Sequence, residues 1–111
     1  MAYPQGMRFV ETPIFTEQIT AALDHASYHQ LQLALFLRPE QGVVIKGSGG
    51  LRKLRWSGSG RGKRGGVRVI YFWHPEDETF YMLYVYPKNE RSDLTPAQVR
   101  VLRRLVEEEF E

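Results

Sequence analysis

The 111-residue sequence contains no cysteine. Disulfide bonds, a thiolate nucleophile and cysteine-based zinc sites are therefore excluded. No apolar run is long enough to span a bilayer, and the first residues lack the basic and apolar regions of a secretory signal peptide. We therefore expect a protein of the reducing cytoplasm with no membrane partner, in which residues 1–6 form a flexible leader and residues 7–111 form one domain.

Acidic residues are also missing from the middle of the chain, between Glu40 and Glu76. The same interval holds nine of the 10 glycines and eight of the 15 lysines and arginines. These eight are Lys46, Arg52, Lys53, Arg55, Arg61, Lys63, Arg64 and Arg68. Cations concentrated among glycines favour binding of a polyanion, and nucleic-acid phosphate is the first candidate. The alternative is a solvated basic surface that keeps an edge strand soluble.

The sequence on either side of the glycine-rich segment has the pattern of β-strands. Residues 51–56 alternate at period two, and residues 67–73 are β-branched and aromatic, so the two segments predict a hairpin with a basic tip. Residues 79–86 are apolar throughout, which predicts a central strand buried on both faces. Residues 8–12 predict a short first strand that Pro13 ends.

Apolar residues at helical spacing predict two helices before the hairpin and one after it. The first follows Thr12, and Ser27 with Gln30 resembles a capping box that opens the second. Thr95, Pro96 and Gln98 have the pattern of an N-cap, first-turn proline and capping-box partner, which predicts the start of the last helix. The predicted fold class is therefore α/β (α+β), a four-stranded mixed sheet with two N-terminal helices and one C-terminal helix.

Period two also decides which cations act together. Lys53 and Arg55 share one face of their strand, and Arg68 joins them if the ladder brings it to the same face. Mobile contacts from the predicted tip, and aromatics such as Tyr71 or Tyr84 stacked on a base, would complete an RNA-binding surface. The candidate RNA-binding residues are Arg52, Arg61, Lys63, Arg64 and Tyr71.

The chemistry that these residues allow is ribonuclease chemistry without a metal. The basic segment contains no histidine, and the chain has no carboxylate cluster of the kind that holds Mg²⁺. RNA supplies its own nucleophile, the 2′-hydroxyl, so the protein need only orient it, stabilise the phosphorane charge and supply a base and an acid. Lys53 is a candidate base because neighbouring arginines disfavour its protonated form, and Glu90 is the carboxylate alternative.

Histidine does not predict a metal site in this chain. His25 and His29 are four residues apart, which on one helix would place them on a shared face. A helix start at Ser27 would separate them, and the sequence offers no third ligand. We therefore predict no metal and no cofactor.

Three segments, residues 47–55, 62–71 and 84–94, together resemble the RelE/HigB superfamily of type II toxin–antitoxin ribonucleases. The order of predicted elements matches that family, and residues 9–15 are similar to the start of its HigB-like branch. The resemblance implies a small α/β fold and a toxin that enters the ribosomal A site. It also implies cleavage of mRNA by metal-independent 2′-hydroxyl attack, and neutralisation by a cognate antitoxin, expected to be HigA-like with a helix-turn-helix.

The resemblance also assigns residue roles. Lys53 and Arg55 correspond to the basic pair on the family's second strand, and Arg68 to the arginine after its glycine turn. Lys88 and Glu90 fall in the segment before the last helix and complete the predicted catalytic set.

The chain departs from RelE at three positions. Leu51 stands where RelE has a further lysine, Asn89 where it has an arginine, and Thr95 where it has a tyrosine. The basic residues of the predicted tip, Arg61, Lys63 and Arg64, are candidates to replace the missing groups. A second interpretation is a non-catalytic ParE-like toxin that inhibits DNA gyrase, and a third is a simple RNA-binding module.

Overall fold

A computed structural model of the chain describes residues 7–57, 66–88 and 93–110. The elements in chain order are β1 (Arg8–Glu11), α1 (Pro13–Ala22), α2 (His25–Leu37), β2 (Val43–Val44), β3 (Arg52–Trp56), β4 (Val67–His74), a 3-10 helix (Pro75–Asp77), β5 (Thr79–Pro87) and α3 (Pro96–Phe110). Among these residues, no helix is both long enough and apolar enough to cross a membrane.

The strands form one five-stranded mixed sheet in the order β1-β5-β4-β3-β2. β1 runs parallel to β5, and the other neighbours are antiparallel. The predicted class, mixed sheet and helix order are confirmed, but the sheet has five strands where four were predicted. The extra strand is β2, two exposed valines that pair with β3. A segment of two residues is too short to show a periodic pattern in the sequence.

Helices α1 and α2 cover one face of the sheet. Their buried side chains include Phe15, Ile19, Leu31 and Leu35, which pack against the inner face of β4 and β5. Thr12 begins α1, since its side-chain oxygen accepts a hydrogen bond of 3.0 Å from the backbone N–H of Phe15. We refer to this side of the sheet as the two-helix face.

The predicted start of α2 was wrong. The helix begins at His25, because the Asp24 carboxylate caps it and accepts a hydrogen bond of 2.8 Å from the Ser27 backbone N–H. Ser27 lies inside the first turn and is buried. Asp24 and Ser27 are both good N-cap residues, and a carboxylate also interacts favourably with the positive end of the helix dipole.

Helix α3 covers the opposite face, which we call the single-helix face. Its start is the predicted capping box: the Thr95 hydroxyl accepts from the Gln98 N–H at 3.1 Å, and the Gln98 side chain accepts from the Thr95 N–H at 2.9 Å. Leu102 and Val106 are buried against the sheet. The Arg103 guanidinium also donates a hydrogen bond of 3.1 Å to the Gly49 carbonyl. These contacts hold the middle of α3 against the sheet.

Candidate nucleic-acid interface

Three of the predicted cations meet on the single-helix face. Arg55 on β3 is the direct cross-strand partner of Arg68 on β4. Lys53 lies two residues before Arg55 on the same strand, and its neighbour on β4 is Ile70. Directly opposed residues on antiparallel strands have Cβ atoms about 5 Å apart. Lys53, Arg55 and Arg68 therefore form one group, which we call the basic cluster.

The backbone around the basic cluster is tightly constrained. Gly66, just before β4, has a φ of +59°, and a Cβ added there would lie 2.3 Å from the Trp56 carbonyl oxygen. Only glycine allows the chain to enter β4 so close to the end of β3. Arg68 follows as the second residue of an interior strand and is partly buried, whereas Arg55 is exposed. The fold thus holds the Arg68 backbone in place and leaves the cluster open on the β3 side.

An acidic residue that the sequence analysis did not single out faces the basic cluster. The Asp93 carboxylate forms an ion pair with the Lys53 ammonium. The hydrogen bond and the charge of Lys53, together with the charge of Arg68, hold the pKa of the Asp93 carboxyl below its ordinary value. Asp93 is 40 residues from Lys53 in sequence, and no local pattern marks the pairing.

An open groove of about 570 Å³ runs from the basic cluster toward the edge of the sheet, between β2 and the start of α3. Its lining includes Lys46, Lys53 and Arg100 as cations, with Asp93 as the acidic residue. Val43 and Val44 add exposed apolar surface at the sheet edge. Sequence reasoning did not place Lys46 or Arg100 here, because their approach depends on how α3 docks.

Tyr71 is wrongly predicted as an RNA contact. Its side chain is fully buried on the two-helix face. Its hydroxyl donates to the Pro39 carbonyl at 2.8 Å and accepts from the Gly42 N–H at 3.0 Å. Burial raises the pKa of the Tyr71 hydroxyl above its ordinary value of 10.0. No base can stack on this ring, because its neighbours are core side chains.

Arg52 is likewise on the opposite side from the basic cluster. It is the cross-strand neighbour of Tyr71, and its guanidinium donates to the backbone carbonyls of Glu40 at 2.9 Å and Gly42 at 2.7 Å. These bonds fix the loop after α2, so the predicted RNA-binding role is not supported by the position of Arg52. Tyr84 is the other tyrosine considered for stacking. It pairs with Ile70, the β4 residue that also pairs with Lys53, and its side chain is partly exposed on the single-helix face.

The remaining predicted residues lie at the end of the sheet near Arg68 or outside the described part. The Lys88 backbone N–H donates to the Gly66 carbonyl at 3.2 Å, which places this residue where β4 begins. Glu90, Arg61, Lys63 and Arg64 all lie outside the described residues.

The two helical histidines need a further correction. Because α2 begins at His25, both His25 and His29 lie on this helix with the spacing of a shared face, so the predicted separation was wrong. Within residues 7–57, 66–88 and 93–110, no group of three or more histidines and carboxylates could hold a metal ion.

Comparisons with known proteins agree with this architecture. The profile of a family described as the RelE toxin of the RelE/RelB toxin–antitoxin system matches residues 29–111. The chain is similar to a free-state structure of E. coli toxin RelE with two arginines replaced by alanine, at 15% identity and a TM-score of 0.56 over 93% of this chain and 95% of that one. It is also similar to a chain of the archaeal RelE–RelB complex from Pyrococcus horikoshii OT3, at 20% identity and a TM-score of 0.51 over 78% of this chain and 100% of that one. At these identities the structural matches show a shared fold.

Proposed function

Since this chain belongs to the RelE toxin family of the RelE/RelB toxin–antitoxin systems, we propose that it is a ribosome-dependent endoribonuclease. It enters the ribosomal A site and cuts mRNA by attack of the RNA 2′-hydroxyl, without a metal ion of its own. Residues 7–111 act as its single domain. Its target places its action in the cytoplasm, where it inhibits translation.

The observation that carries the proposal is the pairing of Arg55 with Arg68 across the β3–β4 ladder, with Lys53 beside them. Attack of the 2′-hydroxyl places additional negative charge on the phosphorane oxygens. Two guanidinium groups on adjacent strands can contact different oxygens of one phosphate, and arginine suits bidentate phosphate contacts. Because Arg68 extends from a fixed interior strand, it is the candidate for preorganised charge stabilisation.

Proton transfer is assigned to a lysine of this cluster and to residues of the segment between β5 and α3. Lys53 is the candidate general base, because it is the lysine of the cluster and lies on the same face as the two arginines. Glu90 is the alternative base. Lys88 directly follows β5, and its backbone N–H bonds to the Gly66 carbonyl just before β4. It is a further cation for the leaving group or the phosphate.

RNA binding is assigned to basic residues of the segment between β3 and β4 and to one tyrosine on the single-helix face. The basic residues Arg61, Lys63 and Arg64 contact neighbouring phosphates by screened electrostatics. Of the two tyrosines considered for base stacking, Tyr84 takes that role, because its side chain is partly exposed on the single-helix face.

The partner that restrains this activity is a cognate antitoxin. In one solved structure with this fold, RelE is in complex with RelB. We infer a HigA-like antitoxin with a helix-turn-helix domain. The groove beside the basic cluster combines cations with exposed valines, so it suits an acidic segment that also carries apolar side chains.

Primer extension on mRNA after induced expression tests the ribonuclease proposal. Wild-type protein should give cuts in phase with codons. A double variant, Arg55→Ala with Arg68→Ala, should give none. The matched control is Arg38→Ala, which removes an exposed arginine at the end of α2 and should cut as wild type does. Intact mRNA with gyrase-linked DNA damage would instead support the ParE-like function.

The chemistry of the product ends tests the mechanism. Attack by the 2′-hydroxyl leaves a 2′,3′-cyclic phosphate or its 3′-phosphate hydrolysis product. Ribosomes require Mg²⁺ themselves, so simple chelation cannot answer the question. A 3′-hydroxyl on the upstream fragment would refute the proposed mechanism.

A further inference from the structure

Asp93 lies beside Lys53, a member of the basic cluster to which the proposed function assigns RNA. Its carboxylate accepts a hydrogen bond from the Lys53 ammonium. The charge of Arg68 also acts on this carboxylate, so two members of the basic cluster favour its anionic form. A carboxylate resembles the non-bridging oxygens of a phosphate, because it presents two partly charged oxygens to lysine and arginine.

The ion pair is accessible to solvent, so exchange of its anion is feasible. The Asp93 side chain is 69% exposed and that of Lys53 is 26% exposed. Exposed ion pairs contribute little net stability, because water and salt screen them and both side chains lose rotational freedom. An incoming polyanion can therefore replace the carboxylate at low cost.

Helix α3 does not depend on this pair for its position. Its first turn is closed by the capping box of Thr95 and Gln98. Its middle is held by buried Leu102 and Val106 and by the bond from Arg103 to the sheet-side loop. A purely structural anchor at Asp93 would duplicate contacts that already exist.

We propose that Asp93 is an internal competitor of RNA: in the free toxin it neutralises Lys53, and bound RNA displaces it so that Lys53 contacts phosphate. The proposal rests on the RNA-binding part of the proposed function. It adds a residue that sets RNA affinity and its salt dependence without taking part in the cleavage step.

The test is binding of a fluorescein-labelled, single-stranded ten-nucleotide 2′-O-methyl RNA to the purified free chain, followed by anisotropy over a KCl series. This probe lacks the 2′-hydroxyl nucleophile, so binding is measured without cleavage. Asp93→Asn should bind about two- to tenfold more tightly than wild type. Its plot of log affinity against log salt should be steeper by up to about 0.7, because in wild type the Lys53–phosphate contact replaces the Lys53–Asp93 pair, whereas in the variant it adds one net ion pair.

The matched control is Glu17→Gln, which makes the same charge change at an exposed position of α1. It should leave the salt slope unchanged. A double-mutant cycle gives the second measurement. Lys53→Gln should weaken RNA binding more in the Asp93→Asn background than in the wild-type background. The reason is that Asp93→Asn removes the carboxylate that pairs with Lys53 before RNA binds.

The outcomes separate this proposal from the nuclease assignment. Equal affinities and slopes for Asp93→Asn and wild type, or a lower melting temperature with unchanged RNA binding, would overturn it and identify the pair as an anchor of α3. Tighter binding and a steeper slope would support it. That support would stand even if primer extension found no mRNA cleavage, in which case the nuclease function alone would fail.

Discussion

Replacing Tyr71 with phenylalanine removes one oxygen atom from the two-helix face and should destabilise the whole domain. The hydroxyl makes two hydrogen bonds, to the Pro39 carbonyl at 2.8 Å and from the Gly42 N–H at 3.0 Å. Both backbone groups lose their side-chain partner in the variant, and Gly42 is buried. Leaving a buried polar group unsatisfied costs about 1–3 kcal/mol, so we expect a loss of about 2–3 kcal/mol in the free energy of unfolding.

For a domain of this size, that loss corresponds to a fall of about 10 °C in Tm. Urea unfolding should show a lower midpoint with an unchanged m-value, because the buried area stays the same. The matched control is Tyr84→Phe, the same chemical change at a partly exposed position on the other face. It should change the free energy of unfolding by less than about 0.5 kcal/mol.

The effect should also depend on pH with a defined sign. Burial raises the pKa of Tyr71 in the folded state, so folding favours the protonated hydroxyl. This contribution is fully present below the unfolded-state pKa, near 10, and is lost as pH rises through the folded-state pKa. The stability advantage of wild type over Tyr71→Phe should therefore be constant from neutral pH to about pH 9 and should shrink above pH 10.

RNA binding tests whether the Tyr71 ring lies in the core. Tyr71→Phe should bind the 2′-O-methyl RNA with wild-type affinity, because the ring lies in the core and away from the basic cluster. Weaker RNA binding with an unchanged Tm would mean that the ring is accessible and that its placement in the core is wrong. Equal destabilisation by Tyr71→Phe and Tyr84→Phe would refute the argument from the two buried hydrogen bonds.

Two further predictions concern the positioning of the basic cluster. Arg68→Ala should lower single-turnover cleavage on programmed ribosomes by about 10²–10³-fold at saturating toxin, the scale of one preorganised charge stabiliser. Lys63→Ala should instead weaken binding modestly, and the loss should shrink at high salt because salt screens the contact. A wild-type cleavage rate for saturating Arg68→Ala would mean that the active site lies elsewhere on the sheet. Gly66→Ala should destabilise the domain by about 2 kcal/mol or more in urea unfolding, because its Cβ would overlap the Trp56 carbonyl. Gly47→Ala is its control, since Gly47 has a similar φ of +73° and open space around it; equal losses in the two variants would show that the overlap contributes nothing.

The features that could be predicted from sequence are those fixed by near neighbours. The capping box of Thr95 and Gln98 lies within one helical turn, and both of its hydrogen bonds are present. The alternation of residues 51–56 assigned Lys53 and Arg55 to one face, and the antiparallel register then set Arg68 opposite Arg55. Such predictions succeed because helical turns and strand pleats depend on interactions across only a few residues.

The predictions from sequence failed where two residues could each cap the same helix, and where the buried face of a strand had to be identified. Asp24 and Ser27 can each cap a helix, and the carboxylate does so here. For Tyr71, period two sets the side chain on the face opposite Arg68, but both faces of this strand carry apolar residues, so alternation could not tell how deeply that face is buried. The β-ladder decides this, because Tyr71 lies beside Arg52 and its hydroxyl reaches the loop after α2.

The sequence by itself therefore determined the fold class, most of the elements and the residues of the basic cluster, because charge, periodicity and capping are encoded locally. Tertiary structure alone decided which face each strand turns to α3 and which residues α3 brings to the cluster. Asp93 is the clearest case: it meets Lys53 across 40 residues of chain, because helix docking and strand pairing bring the two together. The energies that select such a contact belong to the packed core as a whole, and no local segment of the sequence carries them.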